Sequence, residues 1–161
     1  MYECEMAQMT NIALRRDPPR CEAFVEFRYS VPSDVARVSP FVDQVMRSIQ
    51  GLRVTEGSEL DIEIALREAL LNAVIHGNRE DPDKHVHLTV RCRADGGVWI
   101  AIQDEGAGFD SRCIPDPTAP EFLMSNHGRG IYLMRALMDE LSFEEGGTVV
   151  HMRKGPTSPP R

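Results

Sequence analysis

Glu68-Ala69-Leu70-Leu71-Asn72-Ala73-Val74-Ile75-His76-Gly77-Asn78 sets a carboxylate and a carboxamide four residues apart in an otherwise largely apolar stretch. Four residues of helix turn the chain by about 400° and advance it by about 6 Å, so Glu68 and Asn72 project from one face, one turn apart. Asp61 lies near the same line. An isolated E-x-x-x-N reads most simply as the solvated face of an amphipathic helix. Here, however, Ala65, Ala69 and Ala73 flank the pair, while Leu60, Ile62, Ile64, Leu66, Leu70, Leu71, Val74 and Ile75 cover most of the rest. Such a helix is expected to be buried on more than one side, where a carboxylate must be paired, hydrated or used. Ser58 with Asp61 forms a capping-box pattern at its start, and Gly77 suits a left-handed cap after His76.

Outward from this helix, the rest of the chain alternates or repeats in readable ways. Ala23, Val25, Phe27 and Tyr29 have the period of a first strand, preceded by an irregular arm over residues 1–21. Val35, Val38, Phe41, Val42, Val45, Met46 and Ile49 repeat at three and four residues, one helical stripe ending near Gly51. Its start is either Ser33, with a kink at Pro40, or Ser39, with Pro40 in the first helical position, where its missing N–H costs nothing. Val86, Leu88, Val90 and Cys92 alternate before Ala94-Asp95-Gly96-Gly97 turns the chain into Val98, Ile100 and Ile102. After Asp104 come about twenty residues broken by Pro115, Pro117 and Pro120, long enough to be a functional lid. A helix over 130–141 and a hairpin, 141–145 with 148–153, close a domain of residues 22–154; residues 155–161 read as a disordered tail. The order strand, two helices, hairpin, helix, hairpin predicts an α+β fold. It would be a two-layer α/β sandwich, a mixed, mostly antiparallel sheet with its helices on one face.

Composition sets outer limits. A chain of 161 residues with 42% hydrophobic content is ordinary for one globular domain. No apolar run approaches the ~18 residues of a membrane span, and Met1-Tyr2-Glu3-Cys4-Glu5 does not resemble a signal peptide. Cys4, Cys21, Cys92 and Cys113 form no C-x-x-C pair, which fits free thiols in a reducing, cytoplasmic setting. The net charge of -7 and the lack of a Lys/Arg cluster argue against nucleic acid as a partner.

Two further segments follow the helix in order. Asp104-Glu105-Gly106-Ala107-Gly108 stands at a strand end, where two glycines allow close approach to a planar ligand and an ionised Asp can accept a hydrogen bond from an adenine amino group. Gly128-Arg129-Gly130-Ile131 opens a helix whose exposed N–H groups favour phosphate. Each signal is weak alone, and together, in this order, they read as parts of a nucleotide site. The lysines are Lys84 and Lys154, and neither closes a P-loop or supplies a eukaryotic-type kinase lysine.

E-x-x-x-N with A-x-x-H-G, then D-x-G-x-G, then G-x-G before a helix, resembles the Bergerat-fold (GHKL) ATP-binding domains of gyrase-type topoisomerases, mismatch-repair ATPases and sensor histidine kinases. Glu68 to Gly77, in a chain of this length, is most similar to the anti-sigma-factor serine/threonine kinases of bacterial partner-switching systems. The likeness spans roughly residues 22–154. It implies ATP and Mg²⁺ as cofactors, with Asn72 holding the metal and Glu68 orienting or deprotonating the attacking hydroxyl. It implies Asp104 selecting adenine, Gly106 and Gly108 shaping its pocket, Thr148 reaching adenine through water, and Gly128, Arg129 and Gly130 meeting the phosphates. Arg129 and Arg112 are the available lid cations. His76 and His127 read as packing or solvated residues, Phe109 and Tyr132 as core or pocket wall. The resemblance further implies a STAS-type anti-anti-sigma protein as substrate, a sigma factor or equivalent as second partner, and a homodimer. Two other functions stay open, a switch module that binds ATP without transferring phosphate and an ATPase subunit of a larger assembly.

Overall fold

The computed structural model describes residues 8–17, 22–94, 96–108 and 129–156. Six strands, β1 (Gln8–Asp17), β2 (Glu22–Pro32), β3 (His85–Arg93), β4 (Val98–Gln103), β5 (Glu140–Glu144) and β6 (Val149–Lys154), form one sheet in the order β1-β2-β3-β4-β6-β5. Among the described residues every pairing is antiparallel, where a mixed, mostly antiparallel sheet was expected. Helices α1 (Val35–Gln50), α2 (Glu59–Asn72) and α3 (Arg129–Leu137) contribute to a single core with the sheet, giving the expected two-layer α+β architecture. No helix among the described residues is long and apolar enough to cross a membrane.

The alternation in β3 does what it implies. Val86, Leu88, Val90 and Cys92 are buried, facing the helices with Tyr29 and Val31 of β2, Ile100 and Ile102 of β4, and Met152 of β6. The α1 stripe is likewise buried from Val38 to Ile49, leaving only Val35 partly exposed. α2 is deeply set: Ile62, Ala65, Leu66, Leu70 and, just beyond its end, Val74 are inaccessible. At roughly 1.5–3 kcal/mol for each fully buried aliphatic side chain, this helix anchors the helical layer.

The opposite sheet face carries no helix among the described residues. There Arg91 lies over both Phe24 (5.2 Å) and Trp99 (4.8 Å), and Trp99 packs on His151 at 5.1 Å. Glu26, buried on this face, accepts from Arg91 Nε at 2.8 Å and Arg28 Nε at 2.9 Å. Burial pushes its carboxyl up, but the two guanidiniums outweigh that and hold it below the ordinary value.

Several local expectations change. Residues 8–17, read from sequence within an irregular arm, form edge strand β1, with Ile12 opposite Phe27 and Leu14 opposite Val25. A register shift between Met9 and Asn11 breaks the period that would have revealed it. α1 runs through Pro40, and its cap is neither Ser33 nor Ser39 but Asp34, whose Oδ1 accepts from Ala36 N at 2.9 Å. At α2, Ser58 occupies the N-cap without a side-chain cap bond, so the capping box does not form. Asp61 is engaged elsewhere: Lys154 Nζ donates to its Oδ2 at 2.9 Å and to Leu137 O at 2.6 Å. Lys154 thereby ties the first turn of α2 to the last residue of α3. Lys154→Met should lower the unfolding free energy by about 1–3 kcal/mol, because an acceptor and a carboxylate lose their shared partner in a half-buried place. Thermal melting checks this; an unchanged midpoint would show the tie to be idle. α3 is shorter than the expected 130–141, ending at Leu137, and Leu141 belongs to β5.

Candidate nucleotide site

The α-helical bonding of α2 stops at Asn72 and gives way to a single π-helical turn, Ala73–Gly77, in which Asn78 N bonds Ala73 O at 2.8 Å. Such turns recur at functional sites because they re-aim the residues that follow. Gly77 is not the left-handed cap expected of it. The left-handed residues are Arg79 (φ 57°) and Glu80 (φ 55°), and Gly77 serves a different end. A methyl group there would overlap Asp104 Cγ, so the absent side chain lets the helix end lie directly against the Asp104 carboxylate.

Asp104 continues from β4, and its N–H donates to Thr148 O at 3.0 Å. Its Oδ1 accepts from Gly106 N at 2.8 Å. Burial pushes its carboxyl above the usual value, against the pull of the Gly106 N–H and of Lys84. A methyl group on Gly106 would overlap the Gly77 carbonyl oxygen, and one on Gly108, at φ 74°, would overlap Gly146 O and approach the Thr148 methyl to 3.2 Å. The Thr148 hydroxyl donates to Glu145 O at 3.0 Å, leaving its lone pairs for another donor. Gly106→Ala meets backbone rather than a flexible side chain, so it should cost about 1–3 kcal/mol or more of stability. Chemical denaturation measures this, and a wild-type midpoint would mean that the loop yields freely.

At the other end of the site, α3 lies against α2. A methyl group on Gly130 would stand 2.8 Å from Glu68 Oε2, 3.3 Å from Asn72 Nδ2 and 3.5 Å from Asn72 Oδ1. The carboxylate and carboxamide thus share one face, both partly exposed, beside the start of α3. Arg129 is exposed next to them. Of the residues singled out in the sequence, Glu68, Asn72 and Gly130 come together, and so do Gly77, Asp104, Gly106, Gly108 and Thr148. Gly128, Arg112, His127, Phe109 and most of the expected lid lie outside the described residues. Tyr132 is exposed on α3 rather than part of the core.

Sequence reading overlooked Asn78 and Glu105. Asn78 is buried; its Oδ1 accepts from Glu105 N at 2.7 Å and its Nδ2 donates to His85 O at 2.9 Å. Glu105 accepts from His85 N at 3.1 Å and contacts His87 Nε2 at 2.9 Å. The His87 hydrogen bond, then the His85 N–H, hold the Glu105 carboxyl below its ordinary value. An Asn directly after Gly at a helix end is a faint signal, since it reads first as a cap.

Comparison with known proteins shows the family. The family model described as histidine kinase-like ATPase domain matches residues 31–154. The anti-sigma F factor of Heyndrickxia coagulans is 30% identical over 142 residues, covering 84% of each chain. That of Priestia megaterium is 27% identical over 134 residues, 79% of this chain and 80% of the other. An anti-sigma F factor of Clostridium botulinum (strain Eklund 17B / Type B) is 30% identical over 140 residues, 83% of this chain and 85% of its own. With its helix-end carboxylate and carboxamide beside α3 and its glycine loop locked on that helix, the chain belongs to the histidine kinase-like ATPase family, in the anti-sigma-factor group of the GHKL superfamily.

Proposed function

We propose that this protein is an ATP-dependent serine/threonine kinase and partner-switching regulator, which phosphorylates a STAS-type anti-anti-sigma protein and sequesters a sigma factor or an equivalent partner. One observation carries the reading: the two ends of a single helical segment serve two tasks. Glu68 and Asn72 face the start of α3, and Gly77, five residues on, seats the Asp104 carboxylate. At about 1.5 Å of rise per helical residue, the nine steps from Glu68 to Gly77 leave room for a nucleotide laid along the segment, phosphates toward Arg129 and Gly130, base toward Asp104.

In this reading Asp104 accepts the adenine amino hydrogen, Gly106 and Gly108 leave room for the base, and Thr148 joins through water. Asn72 would hold Mg²⁺ through its amide oxygen, which fits an ion that keeps waters and phosphate oxygens and takes few protein ligands. When bound, the metal supplies charge neutralisation at the phosphates. Glu68 takes up or orients the proton of the incoming serine hydroxyl. Gly128, Arg129 and Gly130 contact the phosphates at the start of α3, where the helix dipole favours negative charge. A homodimer fits the sheet face that α1, α2 and α3 leave uncovered, and the setting is cytoplasmic.

The purified protein, given MgATP and a cognate STAS partner, should transfer phosphate to a partner serine detectable by mass spectrometry. Nucleotide uptake with no label on that partner would instead favour a switch that binds ATP without transfer.

A further inference from the structure

We propose that Asn78 is a positioning residue for base recognition, fixing the direction of the Asp104 carboxylate; this rests on the assignment of Asp104 to adenine. Two peptide units flank Asp104, and both are held. The unit before it is fixed to the sheet, through Asp104 N–H to Thr148 O at 3.0 Å. The unit after it carries the Glu105 N–H, which Asn78 Oδ1 accepts at 2.7 Å. With that second plane pinned, the backbone torsions of Asp104 have little freedom, and its side chain is completed by the Gly106 N–H at 2.8 Å.

Asn78 can do this because it is itself over-determined. It is 1% exposed, its Nδ2 is committed to His85 O at 2.9 Å, and its own N–H closes the π turn on Ala73 O at 2.8 Å. Directly after it, Arg79 and Glu80 both take left-handed backbone, and Glu80 N returns to Val74 O at 2.8 Å. Two consecutive non-glycine residues in that region are strained, because the side chain crowds the backbone there. Strain of this kind persists only where surrounding bonds enforce it, and here it turns the chain sharply while Asn78 stays inside. Glu105 adds a second brace to β3 through His85 N and His87, on the solvent side of the same loop. No atom of Asn78 need touch the nucleotide for the effect to operate.

The test compares ATP with inosine triphosphate, which bears a carbonyl where adenine has its amino group. Wild-type protein should prefer ATP, and Asn78→Ala should reduce that preference by about tenfold, by weakening ATP and not inosine triphosphate. A merely structural role would weaken both nucleotides together and leave their ratio intact, so a folded N78A protein with the wild-type ratio overturns the proposal. If N78A does not fold, amide exchange on the wild-type chain decides: Glu105 N–H should be strongly protected without nucleotide, and exchange at the rate of an exposed loop overturns it. A wild-type protein that binds neither nucleotide, or does not distinguish them, defeats the adenine assignment and this inference together; wild-type preference retained in N78A defeats the inference alone.

Discussion

Glu68→Gln is expected to slow phosphate transfer to a partner serine by roughly 10²-fold or more, about 2.7 kcal/mol in activation free energy, while nucleotide affinity stays within a few-fold of wild type. The substitution keeps the size of the side chain and removes only its charge and basicity. Glu68 stands one turn before Asn72 and against Gly130, at the end of the site away from Asp104, so binding of the base should not register the change. Phosphoryl transfer passes through a loose transition state in which the attacking oxygen has lost little proton, which places the expected effect at the lower end of general-base contributions. Single-turnover phosphorylation gives the rate, and calorimetry with ATP gives the affinity. Unchanged transfer would remove Glu68 from the chemistry. Loss of transfer and of binding in equal measure would make it a group that organises the phosphate end, not a base.

The parts of this structure that the sequence discloses are those set by short-range period. α1, β3 and β4 follow from spacings of three, four and two, because those periods decide which side chains meet the core, and the burial of α2 follows from its largely apolar composition. Glu68 and Asn72 on one face follow from helical geometry alone. What stayed hidden depends on partners distant in the chain. Asp61 looks like a capping residue until Lys154, 93 residues later, takes it. Strand β1 hides behind its bulge and needs β2 to exist. The π turn has no compositional mark. Gly77 reads as a cap from its neighbours, and only Asp104, brought alongside by β4, reveals why a side chain is excluded there. Asn78 and Glu105 were missed for the same reason, since a buried amide that braces a loop is invisible until the loop arrives.

Asp104→Asn should separate recognition from stability. Adenine would lose a charged acceptor, a hydrogen bond worth about 1.5–3 kcal/mol, so ATP affinity should fall roughly ten- to hundredfold. The fold should not suffer. Burial raises the Asp104 carboxyl above its unfolded value, so its contribution to folding is fully present below the unfolded value and is lost as pH rises through the folded one. At neutral pH the ionised group is therefore a cost to the nucleotide-free protein. Asparagine lacks that charge and can still accept from Gly106 N through its amide oxygen, which leaves its NH₂ facing the position where adenine would donate. The nucleotide-free variant is expected to melt no lower than wild type at pH 7, and its stability should vary less between pH 4 and 7. In the wild type, ATP affinity should weaken on acidification as the carboxylate gains its proton, and the variant should lack that dependence. Calorimetric titrations across this range, paired with melts of the free proteins, measure both. Equal affinities in the two proteins would take adenine away from Asp104, and a large drop in melting temperature would make the carboxylate a structural brace between Gly77 and Gly106.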